Sequence, residues 1–170
     1  GQWGISYPGF YTTASSLCGH PAYKAASPQA PIGDFFFDDF HHNGAYTQGY
    51  YLTFPVFGIQ TPGPTPDSWF GAQFISPKPD GYTFNLGIGP LKNFDTYYKD
   101  NFFWQEMVAH PNYDEFWQKR GIIQHLTNVK PAYMTVGGWF DAEDLYGPLM
   151  TYKTIEKNNP SAYNTLVMGP

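Results

Sequence analysis

The chain has 170 residues and a net charge of −5, with 14% charged residues and nine basic ones scattered along it. That length supports one domain with a real core, and the lack of any Lys/Arg run argues against a nucleic-acid partner. No apolar stretch approaches the ~20 residues that span a bilayer, so no membrane partner is expected.

Residues 4–9, GISYPG, hold the first element of interest. They look like the sharp strand-to-helix turn that exposes a nucleophilic serine, except that Pro8 stands where the second glycine of G-x-S-x-G belongs. Proline in the first turn of a helix loses no hydrogen bond and already has the right φ. Gly4 then supplies close packing before Ser6, and Gly9 supplies clearance after it. On these six residues alone an ordinary Gly/Pro turn is the favoured reading.

Residues 9–18, GFYTTASSLC, read as a short helix stopped by Gly19 and Pro21. The single cysteine, Cys18, excludes an intrachain disulfide and reads as a small buried residue of that helix. The stretch 22–32 suggests a short buried strand and its exit loop. Residues 53–96, rich in proline and glycine, read as a long, ordered, irregular excursion whose aromatics argue against disorder. Helical signal returns over 94–110, where Asp95 can cap, and over 112–120 after Pro111.

Residues 131–140 read as a buried strand. An acidic loop and a helix follow, and 164–170 read as another strand. These ends make a parallel α/β frame, with core at 1–34 and 129–170 and a mainly helical cap inserted at 35–128. Asp141 directly follows a strand, where a catalytic acid can be held at the carboxyl edge of a sheet. Glu143 and Asp144 would open the next helix, where N-terminal capping and dipole complementarity are the simple reading.

Five stretches together resemble the serine-hydrolase family of α-amino acid ester hydrolases, cocaine esterase and X-Pro dipeptidyl peptidases. WGISYPGF is similar to its G-x-S-Y-x-G elbow, DDFHHNGAY (38–46) to its D-D-x-x-H-x-G-A segment, and HPNYDEFWQKR (110–120) to a cap helix. GGWFDAEDLYG (137–147) resembles its W-x-D-x-E-D loop, and NTLVMGP its last core strand, closest to the ester-hydrolase branch. The resemblance implies a partial α/β-hydrolase fold without cofactor or metal. Ser6 would be the nucleophile, Asp141 the triad acid, and the Tyr7 backbone N–H one half of an oxyanion hole. Asp39, with Asp38 as the one-residue alternative, would join Glu143 and Asp144 in a carboxylate cluster that receives a substrate α-ammonium. A cation would be drawn to three carboxylates and an anionic acyl group such as glutaryl repelled.

The family places its histidine just after the strand ending at Pro170, and none of the five histidines of the chain stands there. His41 and His42 lie at the cap entrance, while His20, His110 and His125 read as solvated or packed residues. The oxyanion tyrosine of the family would lie before Gly1, so the 170 residues read as an internal segment of a longer enzyme, inactive by itself. Loss of a triad member can cost about 10⁶ in turnover.

The expected activity is hydrolysis of small α-amino acid esters or amides, β-lactam acyl groups included, through an acyl-enzyme on Ser6. A dipeptidyl peptidase or cocaine-esterase-like hydrolase is the alternative enzyme. Analogy with relatives gives a homo-oligomer as assembly and the periplasm or exterior as compartment. An aromatic-rich carbohydrate-binding module is the competing non-enzyme class, permitted by five Trp and 14 Tyr. It leaves the order of Ser6 and DAED unexplained.

Overall fold

The computed structural model describes residues 1–47, Pro64 and residues 76–170. Half of the excursion expected over 53–96, residues 53–63 and 65–75, therefore lies outside the described residues. In chain order the strands are β1 (Gln2–Ile5), β2 (Ala25–Gln29), β3 (His41–His42), β4 (Ala45–Tyr46), β5 (Ala132–Gly138) and β6 (Asn164–Gly169). The α-helices are α1 (Tyr7–Ser16), α2 (Gly81–Ile88), α3 (Asp95–Tyr98), α4 (Phe102–Ala109), α5 (Glu115–Gln118) and α6 (Tyr146–Asn158). The chain divides into two compact units, Gly1–Thr47 with Tyr113–Pro170, and Gln48–Asn112.

The first unit holds a four-stranded sheet of order β1-β2-β5-β6, every pair parallel, the α/β frame expected from the two ends of the chain. Parallel order follows from the connections, because each strand returns to the same edge after a helical or looped crossover. The β2–β5 ladder skips Ser27 and Pro28, where proline offers no N–H. Ala26, Leu126, Val129, Tyr133 and Ile155 form the core on one face of the sheet. The opposite face leaves Trp3, Ile5, Met134 and Val167 exposed, so β5 is buried on one side only.

Helix α1 begins at Tyr7 and ends at Ser16, two residues earlier at each end than the sequence suggests. Pro8 lies in its first turn, as its fixed φ favours. The buried side of α1 is small and hydroxylic. Thr12 and Thr13 donate to the carbonyls of Pro8 and Gly9, and Ser16 donates to that of Thr13. Tyr133 on β5 donates to Ser16 Oγ at 2.6 Å, which ties helix to sheet without an unsatisfied hydroxyl. Cys18 falls beyond the helix and is exposed, contrary to the buried helical position expected of it.

In the second unit, the single helix expected over 94–110 is broken. A 3₁₀ turn (Leu91–Phe94) runs into α3, and Asn101 in an extended conformation then caps α4, accepting from Trp104 N at 3.0 Å. Asp95 caps nothing; its carboxylate accepts from the Trp104 indole at 2.6 Å. A short polar side chain that captures nearby N–H groups competes with helix continuation, and Asn101 wins there. Among the described residues of this unit, Phe84, Phe94, Tyr98, Trp104 and Met107 are the buried hydrophobic ones, and α2 is capped by Asp80.

Candidate active site

Ser6 joins β1 to α1 with φ 60° and ψ −121°, a conformation that L-residues with a side chain rarely adopt. Its N–H donates to the Gln29 carbonyl at 2.9 Å, and its carbonyl accepts from Phe10 N at 2.9 Å. The neighbours must be small for this turn to exist. A Cβ on Gly4 would run into the Pro8 carbonyl, and one on Gly9 would lie 2.7 Å from the Gln29 carbonyl. The strained serine is thus held at the carboxyl edge of the sheet with its side chain outside the strand and helix ladders. Tyr7 is the first residue of α1, so its N–H has no carbonyl acceptor within the helix.

Asp141 follows β5 after Trp139 and Phe140, both exposed, so the buried strand expected to reach residue 140 stops at Gly138. The Asp141 Oδ1 accepts from the N–H groups of Glu143 and Asp144 at 3.0 and 2.9 Å, which folds the acidic loop back on itself. Glu143 and Asp144 do not open the next helix; α6 starts at Tyr146. Its first turn is instead satisfied by Asp38, whose Oδ1 accepts from Gly147 N at 2.7 Å.

Asp38 and Asp39 share a π-helical turn (Phe36–Phe40) and have different fates. Asp38 is fully buried and gives both oxygens to backbone N–H groups: Gly33 and Asp34 on Oδ2, Gly147 on Oδ1. Burial pushes it up to about 6, with those bonds opposing. Asp39 is buried, and its Oδ1 accepts no hydrogen bond. Asp144, 2% exposed, likewise keeps a buried oxygen that accepts nothing. Its other oxygen accepts from Ser6 Oγ at 3.3 Å.

Burial, then the charges of Asp144, Glu143 and Asp38, push Asp39 up to about 9. Burial, then the charges of Asp38, Glu143 and Asp141, push Asp144 up to about 8, opposed by the Ser6 hydroxyl. The two acids interact and titrate as a pair. Burial raises Glu143 as well, with His42 opposing. At neutral pH the cluster therefore holds protons rather than three negative charges.

No histidine ring among the described residues hydrogen-bonds Ser6 or Asp141. His42 Nε2 bonds the Asp38 carbonyl at 2.7 Å, and His41 stacks on Phe36 at 4.1 Å. The described residues also contain no group of three or more His, Cys, Asp or Glu arranged to hold a metal ion.

The family model of the X-Pro dipeptidyl-peptidase (S15 family) matches residues 1–170. The chain belongs to the S15 family. Two solved structures align with it over 99% of its length at TM-score 0.82. One is an aminopeptidase from the marine sediment archaeon Thaumarchaeota archaeon, 28% identical, and the other a selenomethionine-labelled α-amino acid ester hydrolase, 27% identical. The chain spans 28% and 27% of the length of these two structures, respectively. No curated protein sequence matches it.

The S15 resemblance and the parallel sheet with its strained elbow agree on the fold. Within this S15 chain, sequence reasoning overlooked Asp38 as anything but an alternative to Asp39. The only available signal was the doubled acid before a histidine pair, because the three N–H groups that Asp38 gathers come from residues 33, 34 and 147. The contact of Ser6 with Asp144 joins residues 138 apart and has no local signature.

Proposed function

We propose that the protein is a serine hydrolase acting on α-amino acid esters or amides, β-lactam acyl groups included, with Ser6 as nucleophile. Asp141 is the triad acid, and the Tyr7 N–H donates to the developing oxyanion. The base is a histidine placed after β6, as in the family the sequence resembles. Ser6 attacks the acyl carbonyl, the alcohol or amine leaves with a proton from that histidine, and water releases the acyl group.

One observation carries the substrate class: the Asp144 carboxylate stands 3.3 Å from Ser6 Oγ. In an α-amino acyl group the ammonium nitrogen is about 2.5 Å from the carbonyl carbon, by bond lengths and angle. The attacking oxygen approaches that carbon at about 3 to 3.5 Å. An acid beside the nucleophile therefore meets an amine on the α-carbon. In an X-Pro dipeptide the ammonium is one residue further from the scissile carbonyl, by about 3.8 Å between Cα atoms. The unpartnered buried oxygens of Asp39 and Asp144 supply acceptors for the ammonium, and Glu143 adds charge at the rim. The names of the two solved relatives, an aminopeptidase and an α-amino acid ester hydrolase, fit a free α-amine next to the scissile carbonyl.

The test compares phenylglycine methyl ester, its des-amino analogue and an X-Pro p-nitroanilide on the full-length protein, which carries the base, and on its Ser6→Ala variant. A preference of at least about 10-fold for the α-amino ester, lost with Ser6→Ala, is expected, because a partly buried charge pair is worth up to about 4 kcal/mol and 10-fold needs about 1.4. Equal rates on the first two, or preference for the X-Pro substrate, overturns the reading.

A further inference from the structure

Asp38 is fully buried, yet it does not share the environment of Asp39. Its three acceptor contacts come from two places in the chain: the exit of β2, through Gly33 and Asp34, and the first turn of α6, through Gly147. The Asp38 N–H also donates to the Asp34 carbonyl at 2.9 Å, so Asp34 and Asp38 close a ring of two hydrogen bonds. Asp34 in turn accepts from the Tyr113 hydroxyl at 2.7 Å, which fixes that corner against the start of α5.

The segments joined by Asp38 approach as closely as backbone allows. A Cβ on Gly147 would strike the Pro31 carbonyl and lie 2.8 Å from Gly33 N, and a Cβ on Gly33 would lie 3.0 Å from Gly147 Cα. Neither contact tolerates a side chain, so the junction has one spacing. On one side of it is the π-helical turn that carries Asp39. On the other is the loop of Asp141, Glu143 and Asp144, which runs directly into α6.

We infer that Asp38 is a positioning residue that sets the spacing between Asp39 and Asp144, and so the α-ammonium site beside Ser6. The inference rests on the α-amino acyl reading above. A carboxylate is required at this place because it alone offers acceptors on both oxygens to N–H groups approaching from both sides. An amide would present its NH₂ to one of those donors and release either the β2 exit or α6. Asp38 hydrogen-bonds neither the nucleophile nor the two unpartnered oxygens; it acts through the backbone it joins and through its charge on Asp39 and Asp144, and Asp38→Glu, which keeps that charge, separates the two.

The experiment measures three quantities on Asp38→Asn: labelling of Ser6 by a fluorophosphonate, kcat and KM for phenylglycine methyl ester, and the same constants for the des-amino ester. Labelling needs only the elbow and the triad, so it is expected within about 3-fold of the unmodified protein. The preference for the α-amino ester is expected to fall at least 10-fold, mainly through KM. A purely structural role would lower labelling and both esters together, which overturns the inference. Unchanged preference does so as well.

Should Asp38→Asn not fold, Asp38→Glu keeps charge and both acceptors while adding one methylene between turn and helix. It is expected to show the same selective loss, and unchanged preference again overturns the inference. If the unmodified protein itself shows no preference, the α-amino acyl reading has failed first, and this inference falls with it. A preference present in the unmodified protein and intact in the variants removes Asp38 alone.

Discussion

Ser6 Oγ donates to Asp144 across the sheet edge at 3.3 Å, so the residue with the strained backbone and a buried acid share one hydrogen bond. The acid is too close to serve a distant part of a substrate. Asp144→Asn keeps the shape and an acceptor for Ser6 but removes the charge. Its preference for α-amino over des-amino esters is expected to drop about 10-fold or more, with the des-amino rate unchanged within about 3-fold. Steady-state kinetics on both esters check this, and a uniform loss on both would place Asp144 in the triad machinery instead. In the unmodified protein a β-amino ester should be the poorer substrate, because its ammonium lies one bond further out.

Ammonium binding should release a proton. Near pH 7 Asp144, at about 8, and Asp39, at about 9, hold protons, and an α-ammonium pairs only with the ionised form. KM for an α-amino ester is therefore expected to fall as pH rises from 6 toward 8. It should rise again once the substrate amine, near 7.7 to 8.0, loses its own charge. The des-amino ester should show no such KM minimum. Calorimetry of phenylglycinamide binding to Ser6→Ala at pH 7, in two buffers of different ionisation enthalpy, reads the proton directly. Identical heats in both buffers would count against proton-linked binding.

The same acids tie stability to pH in a direction opposite to the usual carboxylate. An unfolded aspartate ionises near 3.9, whereas Asp39 in the fold keeps its proton to about 9. Between those values the folded state binds more protons than the unfolded, so stability falls as pH rises, by up to about 1.4 kcal/mol per pH unit for each such group. The contribution of Asp39 is whole below about pH 4 and lost as pH passes about 9. Urea midpoints of the unmodified protein and Asp39→Asn are expected to converge near pH 5. At pH 8.5 the variant should be the more stable. A variant less stable at both pH values would show that Asp39 is held by bonds that the amide cannot make.

How much was legible in the sequence follows from which requirements are local. The elbow was readable because its demands fall on Gly4, Pro8 and Gly9, within three residues of Ser6. The parallel frame was readable because its strands and α1 lie at the two ends of the chain with turn residues between them. The break at Asn101 was missed because the aromatic run hides a capping residue that competes with the helix. The charge state of the acid cluster was not legible, since ionisation depends on burial and on distances between residues 39 and 144 that no spacing reveals. Asp38 was overlooked for the same reason: its partners are defined only when β2 and α6 meet.

The glycine at position 4 offers the sharpest check on the elbow itself. In β1 a glycine is unfavourable unless another group must come close, and here the Pro8 carbonyl of the first turn of α1 does. Gly4→Ala must push α1 away from β1, at a cost of about 1 to 3 kcal/mol typical of overpacking. Ser6 would then lose its fixed aim before the fold is lost. Fluorophosphonate labelling of Gly4→Ala is expected to slow at least 10-fold under conditions where circular dichroism still reports a folded chain. A buried alanine at an ordinary strand position would do neither. Labelling at the unmodified rate in a folded Gly4→Ala protein would mean that the close contact between Gly4 and Pro8 is not what presents the serine.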